Sequence, residues 1–284
     1  MWCHQLPSLS YHQFSYLSFR TFIKRVATTP ISSSCRHPHS TLVKASLQSP
    51  QLEDLTTSQQ EQISIYVDAL LQWNQRMNLT AVTETSDVMK RHVEDSLAII
   101  PPIQNSYLSR CGSSCDGLKL VDVGTGPGLP GLIFAIACPS WKVTLLESMQ
   151  KRCLFLEHAV ALTGLSNVQI LRARAEDAGQ NHNFREAFDV SVARAVAEMR
   201  ILAEYCLPLV RVGGLFVAAK GYDPQEEIKK AEKAIQLMGA STLQLCSVES
   251  QGPYGQRTAV VCIKDKPTPR KYPRPPGVPA KAPF

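Results

Sequence analysis

The chain has 284 residues, of which 44% are hydrophobic, and a formal net charge of +6. This length supports one large core or two small ones, and no apolar run reaches the roughly 18 residues that a membrane-spanning helix needs. The sequence therefore predicts no membrane span. Positive charge is concentrated at the ends: residues 1–52 and 264–284 carry +5 each, and the part between them carries −4. Net charge alone therefore does not identify the globular part as a nucleic-acid binder.

Residues 1–50 are predicted to be a transit peptide rather than part of the fold. They contain ten serines, scattered arginines and no acidic residue, a composition typical of organelle targeting. A secretory signal is disfavoured because no clean apolar core precedes a small-residue cleavage site. Serine richness favours the chloroplast, and the mitochondrion is the alternative. An ordinary disordered tail is the remaining interpretation.

Nine cysteines are scattered along the chain without the spacing of a disulfide framework. Cys111 and Cys115 are close enough in sequence to share a metal ion. No second Cys or His pair completes a tetrahedral site, so we expect no metal. Buried or unused thiols are the favoured interpretation.

Residues 51–110 are predicted to form a small N-terminal helical element. Ser58 and Glu61 match a capping box, and apolar residues follow at helical spacing. Asp87 is expected to cap a second helix. Pro101-Pro102 is expected to end it, because proline has no amide proton to donate to the helix.

From residue 111 to residue 264, short apolar runs alternate with amphipathic segments. The predicted strands lie at 118–123, 142–147, 168–172, 188–193, 215–220, 242–248 and 258–263. The predicted helices lie at 129–137, 150–163, 198–209 and 224–238. This alternation implies right-handed crossovers and a parallel sheet covered on both faces, closed by a hairpin. The predicted fold is α/β, with the seven-stranded, Rossmann-like sheet of class I methyltransferases.

The last part of the chain, residues 265–284, is predicted to be a basic, proline-rich tail. It contains seven prolines, and such a segment is expected to be extended because it cannot build a core. The turn before the final strand is predicted at Gly252-Pro-Tyr-Gly255.

The first predicted strand ends in the glycine-rich turn Asp122-Val-Gly-Thr-Gly-Pro-Gly128. Glycines 124, 126 and 128 let the turn tighten and let a ligand approach the backbone closely. Residues 126–131 also match the G-x-G-x-x-G fingerprint of dinucleotide-binding proteins. The strand, however, ends at Gly124 rather than Gly126. Asp122 would face a pyrophosphate, whereas it suits the amino group of an amino-acid-bearing cofactor.

Two further acidic positions follow the second and third predicted strands. Glu147 ends the second strand about 20 residues after the glycines, where a carboxylate can accept both ribose hydroxyls of an adenosine. Arg174-Ala-Glu-Asp177 follows the third strand, where an acid can receive the adenine amino group. Together with the glycine turn, these positions predict S-adenosylmethionine as the cofactor. A purely structural turn and a solvated acid at the strand end are the alternatives.

Five segments of the chain resemble the glucose-inhibited division protein B family. They are Trp73-Asn-Gln-Arg-Met-Asn-Leu-Thr80, Arg91-His-Val-Glu-Asp-Ser96, Asp122–Gly131, Lys151-Arg152 and Ser191-Val-Ala-Arg-Ala195. The resemblance runs from about residue 55 to the basic tail. It implies the family's activity, methylation of N7 of a guanine in small-subunit ribosomal RNA.

The same resemblance implies a set of cofactor contacts. These are Gly124, Leu129, Ala175, Glu176 and Arg194, with Glu147 at the ribose position. The family's second strand more often ends in Asp-Ser, whereas this chain has Glu147-Ser148, one methylene longer.

Two absent motifs agree with transfer to a ring nitrogen. An amino-group methylase would show Asn/Asp-Pro-Pro-Tyr/Phe after the fourth strand, and a cytosine-C5 methylase would need a nucleophilic cysteine there. The chain has Ser191-Val-Ala-Arg194 instead. N7 of guanine carries a free lone pair at neutral pH, so catalysis reduces to alignment. We therefore predict no catalytic acid or base, and Arg194 is predicted to be a positioning residue.

Contacts to RNA must come from local basic groups, because the central part of the chain is net acidic. The candidates are Arg91, His92, Lys151, Arg152, Arg194, Lys220, Arg270, Lys271 and Arg274. In the tail, cations spaced by proline around Tyr272 are expected to follow a phosphate backbone and stack a base. The expected partner is small-subunit ribosomal RNA or a ribosomal particle, bound by a monomer.

Two other functions stay open from the sequence. One is an RNA-binding ribosome-assembly factor that keeps the fold without methyl transfer, which would require a damaged cofactor site. The other is an NAD-dependent dehydrogenase, which only the offset glycine fingerprint supports.

Overall fold

The computed structural model describes residues 52–111, 114–248 and 256–284, without the side chain of Cys111. The predicted transit peptide, the Cys111 thiol and the turn at 252–255 lie outside the described residues. In the part of the chain that is described, no helix combines the length and the apolar character needed to cross a membrane.

One mixed sheet organises the described residues. Its strands are β1 (Lys119–Val123), β2 (Lys142–Glu147), β3 (Val168–Arg172), β4 (Phe188–Arg194), β5 (Val210–Lys220), β6 (Ala240–Val248) and β7 (Arg257–Lys264). Within the described chain they form a seven-stranded sheet in the order β3-β2-β1-β4-β5-β7-β6. The first five strands run parallel, and β7 is antiparallel to both β5 and β6. The predicted sheet with its closing hairpin is confirmed.

The helices lie before the sheet, between its strands and, in the case of α10, after its last strand. They are α1 (Thr57–Met77), α2 (Thr85–Val88), α3 (Asp95–Leu97), α4 (Ile100–Cys111), α5 (Gly131–Ala137), α6 (Gln150–Thr163), α7 (Ala175–Gln180), α8 (Met199–Cys206), α9 (Gln225–Leu237) and α10 (Val278–Lys281). A π-helical stretch, Met89–Glu94, joins α2 to α3. Short 3₁₀ turns lie at Leu52–Asp54 and Leu207–Leu209.

Helices cover both faces of the sheet, as the alternation of residues in β1 shows. Leu120 packs in a core with Ile63 of α1 and with residues of α5 and α6. Val121 faces the other way, into a core with Leu202 of α8 and residues of α9. Successive side chains of a strand point to opposite faces, so both faces of β1 must be apolar. The N-terminal helices therefore belong to one layer of this core.

The start of α1 differs from the prediction by two residues. The Thr56 hydroxyl accepts from the amide of Gln59, and the Gln59 side chain accepts from the amide of Thr56. The prediction of a capping box at Ser58 and Glu61 is wrong. Gln59 also donates to the carbonyl of Ile136 at 2.8 Å, and this tertiary contact helps to fix the box there.

The second predicted helix also differs in its bounds. Helix α2 begins at Thr85 with Glu84 at its cap, so Asp87 lies inside the first turn and is not the cap. Pro101-Pro102 lies in the first turn of α4. A missing amide costs little at that position, so the two prolines open a helix rather than end one.

The C-terminal segment, residues 265–284, packs on α7 and α8, and we call it the C-terminal strap. The Arg185 guanidinium donates to the carbonyls of Thr268 at 2.6 Å and Tyr272 at 2.8 Å. The Arg274 guanidinium forms an ion pair of 2.6 Å with buried Glu204. The prediction of an extended tail is wrong. Prolines have no amide proton to donate, and side chains of the body of the protein supply donors for several carbonyls of the strap.

Candidate active site

The turn after β1 exposes bare backbone at the carboxyl edge of the sheet. Gly124, Gly126 and Gly128 have φ values of 71°, 60° and 99°, a region that favours glycine. No atom lies within 4 Å of the position that a Cβ would take at Gly126. A ligand can therefore come directly against the peptide backbone at this point.

Asp122 is buried and closes this turn. Its Oδ2 accepts from the Thr125 hydroxyl at 2.6 Å and from the Gly131 amide at 2.8 Å. Its Oδ1 is buried without a hydrogen-bond partner. Burial is the main cause that raises the pKa of Asp122 to about 6. An anionic oxygen without a partner beside a bare turn fits a ligand that carries an ammonium group.

Glu147 connects the glycine turn with the start of α6. One oxygen, Oε2, accepts from the Gly126 amide at 3.1 Å, and the other accepts from the Met149 amide at 2.8 Å. Arg152 lies 3.5 Å from Oε2. Each carboxylate oxygen can accept more than one hydrogen bond, so ribose hydroxyls fit here. Arg152 thus contacts Glu147, the residue predicted to hold the ribose. The sequence had instead led us to expect that Arg152 contacts RNA.

Ala175 and Glu176 lie in the first turn of α7, a short helix that the sequence did not predict. Glu176 is buried, and its Oε1 accepts from the amide of Gly277 in the C-terminal strap at 2.8 Å. Its carboxylate therefore holds the strap. Asp177 is the exposed acid of the same turn.

A cavity of about 570 Å³ opens beside the glycine turn, and we call it the main cavity. It is lined by residues 79–82, Arg91, His92, Asp95, Ile99, Gly124, Thr125, Pro127, Leu129, Arg194, Ala195, residues 219–221 and Arg257. It brings together three predicted cofactor residues (Gly124, Leu129 and Arg194) and several predicted RNA contacts. The other six predicted cofactor residues lie outside its lining: Asp122, Gly126, Gly128, Glu147, Ala175 and Glu176.

The charge of the main cavity is strongly positive. Its lining contains four cationic side chains, and Asp95 is the one carboxylate in it. The cations are Arg91, Arg194, Lys220 and Arg257. Since residues 53–263 are net acidic, this local excess of cations points to an anionic ligand.

Arg194 ends β4 and reaches back to the N-terminal helices. Its guanidinium donates to the carbonyl of His92 at 3.3 Å and to the Ser96 hydroxyl at 3.2 Å. Burial lowers the pKa of Arg194, but a guanidinium stays charged at neutral pH. Ala195, directly after it, has a φ of 55°. This rigid placement agrees with a positioning role.

His92 lies in the wall of the main cavity as a neutral side chain. Its Nε2 is 2.7 Å from the Thr80 hydroxyl, and its Nδ1 is 3.1 Å from the carbonyl of Arg91. Burial and the nearby Arg194 lower the pKa of His92 to about 4. His92 therefore offers RNA a polar contact but no positive charge.

The other predicted RNA contacts fall into two groups. Lys151, Arg270 and Lys271 are exposed. Lys220, by contrast, donates to Glu227 at 2.7 Å although it also lines the main cavity. Arg274 is held by Glu204 and lies 3.9 Å over the Phe284 ring, so it is a structural residue rather than a phosphate contact.

Sequence reasoning missed two features of the main cavity. The Tyr66 hydroxyl donates to the carbonyl of Pro127 at 2.9 Å and supports the glycine turn. Arg257 of β7 pairs with buried Asp95 at 2.9 Å. Asp95 lies in a segment that carries the family resemblance, so the sequence contained a signal that could have identified it as a site residue. The sequence contained no such signal for Arg257, because its partner lies 162 residues away.

Metal ligands are not grouped in the described part of the chain. Among those residues, no set of three or more His, Cys, Asp or Glu side chains is arranged to hold a metal ion.

Comparison with known proteins agrees with this geometry. A sequence model described as "GidB: rRNA small subunit methyltransferase G" matches residues 59–258. The ribosomal RNA small subunit methyltransferase G of Alkaliphilus oremlandii is 45% identical over 233 residues, which cover 81% of this chain and 93% of that protein. The protein of the same name from Moorella thermoacetica is 42% identical, over 78% of this chain and 89% of that protein. The chain therefore belongs to the GidB family of ribosomal RNA small subunit methyltransferases.

Proposed function

We propose that the protein transfers the methyl group of S-adenosylmethionine to N7 of a guanine in organellar small-subunit (16S) ribosomal RNA. The observation that carries this proposal is the main cavity, which joins a bare glycine turn to four cationic side chains. Family membership supports ribosomal RNA as the substrate. The choice of N7 rests on the family resemblance and on the sequence Ser191-Val-Ala-Arg194 at the end of β4.

The residues of the turn fit the cofactor. Glu147 would hold the ribose hydroxyls, and the free Oδ1 of Asp122 would accept from the amino group. The backbone at Gly126 would lie against the ligand without a Cβ between them. When bound there, the cofactor supplies a methyl group on a positively charged sulfur.

The side chains around the cavity have to align the guanine rather than move a proton. N7 forms its bond to the methyl carbon as the carbon–sulfur bond breaks, so positive charge passes from sulfur to the purine and no base is needed. Arg194, fixed by His92 and Ser96, orients the reacting groups. The Asp95 carboxylate also lines the cavity, where it pairs with Arg257 at 2.9 Å.

The experiment that tests this function mixes the purified protein with methyl-labelled S-adenosylmethionine and small-subunit ribosomal RNA or particles. Digestion to nucleosides should yield labelled 7-methylguanosine. Label in another nucleoside would contradict the assignment to N7. Absence of cofactor affinity in calorimetry would favour an assembly factor without methyl transfer, and NAD binding in competition would favour a dehydrogenase.

We further propose that residues 1–50 direct the protein to the chloroplast, with the mitochondrion as the alternative. Their lack of acidic residues and their ten serines support a targeting role, and the family match begins only at residue 59. A fluorescent protein fused behind these residues should accumulate in chloroplasts. Fluorescence in mitochondria or throughout the cytosol would contradict this assignment.

A further inference from the structure

A second cavity, of about 390 Å³, lies between the end of α1 and the middle of α6, and we call it the side slot. It is lined by Gln72, Trp73, Arg76, Met77 and His158. The ring centroid of Trp73 is 5.1 Å from that of His158 and 5.7 Å from that of Phe155. Phe155 is fully buried, so Trp73 is anchored on the core while it borders the slot.

The lining has the chemistry that binds an unpaired nucleobase. Two aromatic side chains, Trp73 and His158, line the slot, and unpaired bases stack on side chains of these types. Exposed Arg76 adds a guanidinium that can stack on a base or pair with a phosphate, and exposed Gln72 adds hydrogen-bond donors and acceptors. None of the five lining side chains is acidic. This combination favours a ligand that is both aromatic and anionic. A nucleotide of an RNA strand has both properties.

The side slot adjoins the main cavity along the chain. Met77 lines the slot, and Leu79 lines the main cavity. Two residues span at most about 7 Å, and successive nucleotides of a stacked strand rise about 3.4 Å. The two linings thus come within about 7 Å of each other at this point of the chain, a separation that a few nucleotides can span.

Hydrogen bonds hold the helix of the slot in register with the main cavity. The Asn74 side chain accepts from the amide of Thr80 at 2.9 Å. The Thr80 hydroxyl lies 2.7 Å from Nε2 of His92, and the carbonyl of His92 accepts from Arg194 at 3.3 Å. The two cavities are thus parts of one braced surface.

We propose that the side slot binds an unpaired nucleobase that flanks the target guanine in the substrate RNA. This inference rests on the proposed function, because it requires an RNA substrate. The flanking base stacks against Trp73 and His158, and Arg76 contacts the adjoining phosphate. Holding a neighbouring base fixes the position of the strand, and so the position of N7 in the main cavity.

The test measures KM for small-subunit RNA, kcat and the Kd of S-adenosylmethionine for full-length variants. Since loss of base stacking and of one phosphate contact weakens RNA binding, we expect Arg76→Gln/His158→Ala to raise KM about tenfold. Cofactor Kd should stay within about twofold, because the slot lies outside the cofactor site. Trp73→Phe keeps an aromatic ring and should keep KM within about threefold, whereas Trp73→Leu should raise it. Gln75→Ala, exposed on the same helix outside the slot, is the matched control.

A photocrosslinking experiment gives the second readout. RNA with 4-thiouridine at the positions flanking the target should crosslink to the α1–α6 surface in the wild-type protein and not in the double variant. An unchanged KM in the folded double variant would overturn the slot and leave the proposed function intact. No methyl transfer by the wild-type protein would instead overturn the proposed function. A KM increase confined to ribosomal particles, with binding to protein-free RNA unchanged, would assign the slot to a protein and also overturn the inference.

Discussion

The main cavity and the C-terminal strap both concentrate cationic side chains, but in opposite roles. In the cavity, Arg91, Arg194 and Lys220 border an open volume of about 570 Å³. At the root of the strap, Lys264 is fully buried and donates to two backbone carbonyls. Arg274 pairs with a buried glutamate. One region presents its charge to a ligand, and the other uses its charge to hold the fold.

This difference shows that the net charge of a segment does not tell whether its cations are available to bind a ligand. Residues 264–284 carry +5, yet their buried cations serve internal carbonyls and carboxylates. The central part of the chain is net acidic, yet its cavity is lined mostly by cations. Placement in the fold, rather than local net charge, decides which cations can meet RNA.

The largest expected effect is on stability, at the root of the strap. Lys264 Nζ donates to the carbonyls of Leu207 and Val210 and to the Thr268 hydroxyl, and it pairs with Glu186. Lys264→Met leaves these groups without their donor and should lower the free energy of unfolding by about 3 kcal/mol. Denaturant titration followed by circular dichroism measures it.

The pH dependence of that stability gives a second readout. Burial lowers the pKa of Lys264 from 10.5 to about 8. Between these two pH values the unfolded chain therefore keeps a proton on Lys264 that the folded chain has released. Stability of the wild-type protein should therefore rise between pH 8 and 10.5 relative to Lys264→Met. Lys266→Met, at an exposed position, is the control and should change stability by less than about 0.5 kcal/mol. Equal losses in the two variants would contradict the structural role of Lys264.

The second effect is on cofactor binding, at the glycine turn. Gly126 and Gly164 have similar φ values, 60° and 65°, and open space beside each. Gly126→Ala and Gly164→Ala should therefore cost similar stability, about 1–2 kcal/mol. Only Gly126→Ala places a methyl group where the cofactor approaches, and it should weaken cofactor Kd about 100-fold. Calorimetry that finds equal affinities in the two variants would remove the turn from the cofactor site.

The third effect is a pH dependence of cofactor affinity. Burial raises the pKa of Asp122 to about 6, and only the carboxylate form attracts an ammonium group. Affinity should therefore be constant well above that pH and fall below it by about tenfold in all, to the affinity of a neutral side chain. Asp122→Asn should bind about tenfold more weakly at neutral pH and lose this slope. Asp177→Asn should retain the slope, and a flat wild-type profile between pH 5 and 7 would contradict the contact.

The smallest effect concerns the exposed cations of the strap. Arg270→Gln/Lys271→Gln should reduce the salt dependence of RNA binding by about two phosphate contacts without changing stability. Arg274→Gln should lower stability and leave the salt dependence of RNA binding unchanged, because the Arg274 guanidinium pairs with Glu204. Filter binding at several salt concentrations and thermal melting separate the two. A lower salt slope in Arg274→Gln at unchanged stability would place this arginine on the RNA.

The sequence predicted those features whose signal is local. The glycine turn, Glu147 at the end of β2 and the alternation of strands and helices each depend on neighbouring residues, and the structure has them. The strap could not be predicted in the same way, because its donors lie far away: Arg185 is 83 residues from Thr268. The Asp95–Arg257 pair could not be predicted for the same reason, because 162 residues separate its two members. Helix α7 is six residues long, too short for a periodic pattern to show.

The central claim is that this chain places N7-methylguanine in organellar small-subunit ribosomal RNA. The most direct measurement is chemical cleavage at N7-methylguanine, mapped by primer extension, in organelle RNA from wild-type and knockout tissue. We expect one cleavage site in the wild type that disappears in the knockout and returns with the wild-type gene but not with Gly126→Ala. An unchanged cleavage pattern in the knockout would contradict the account.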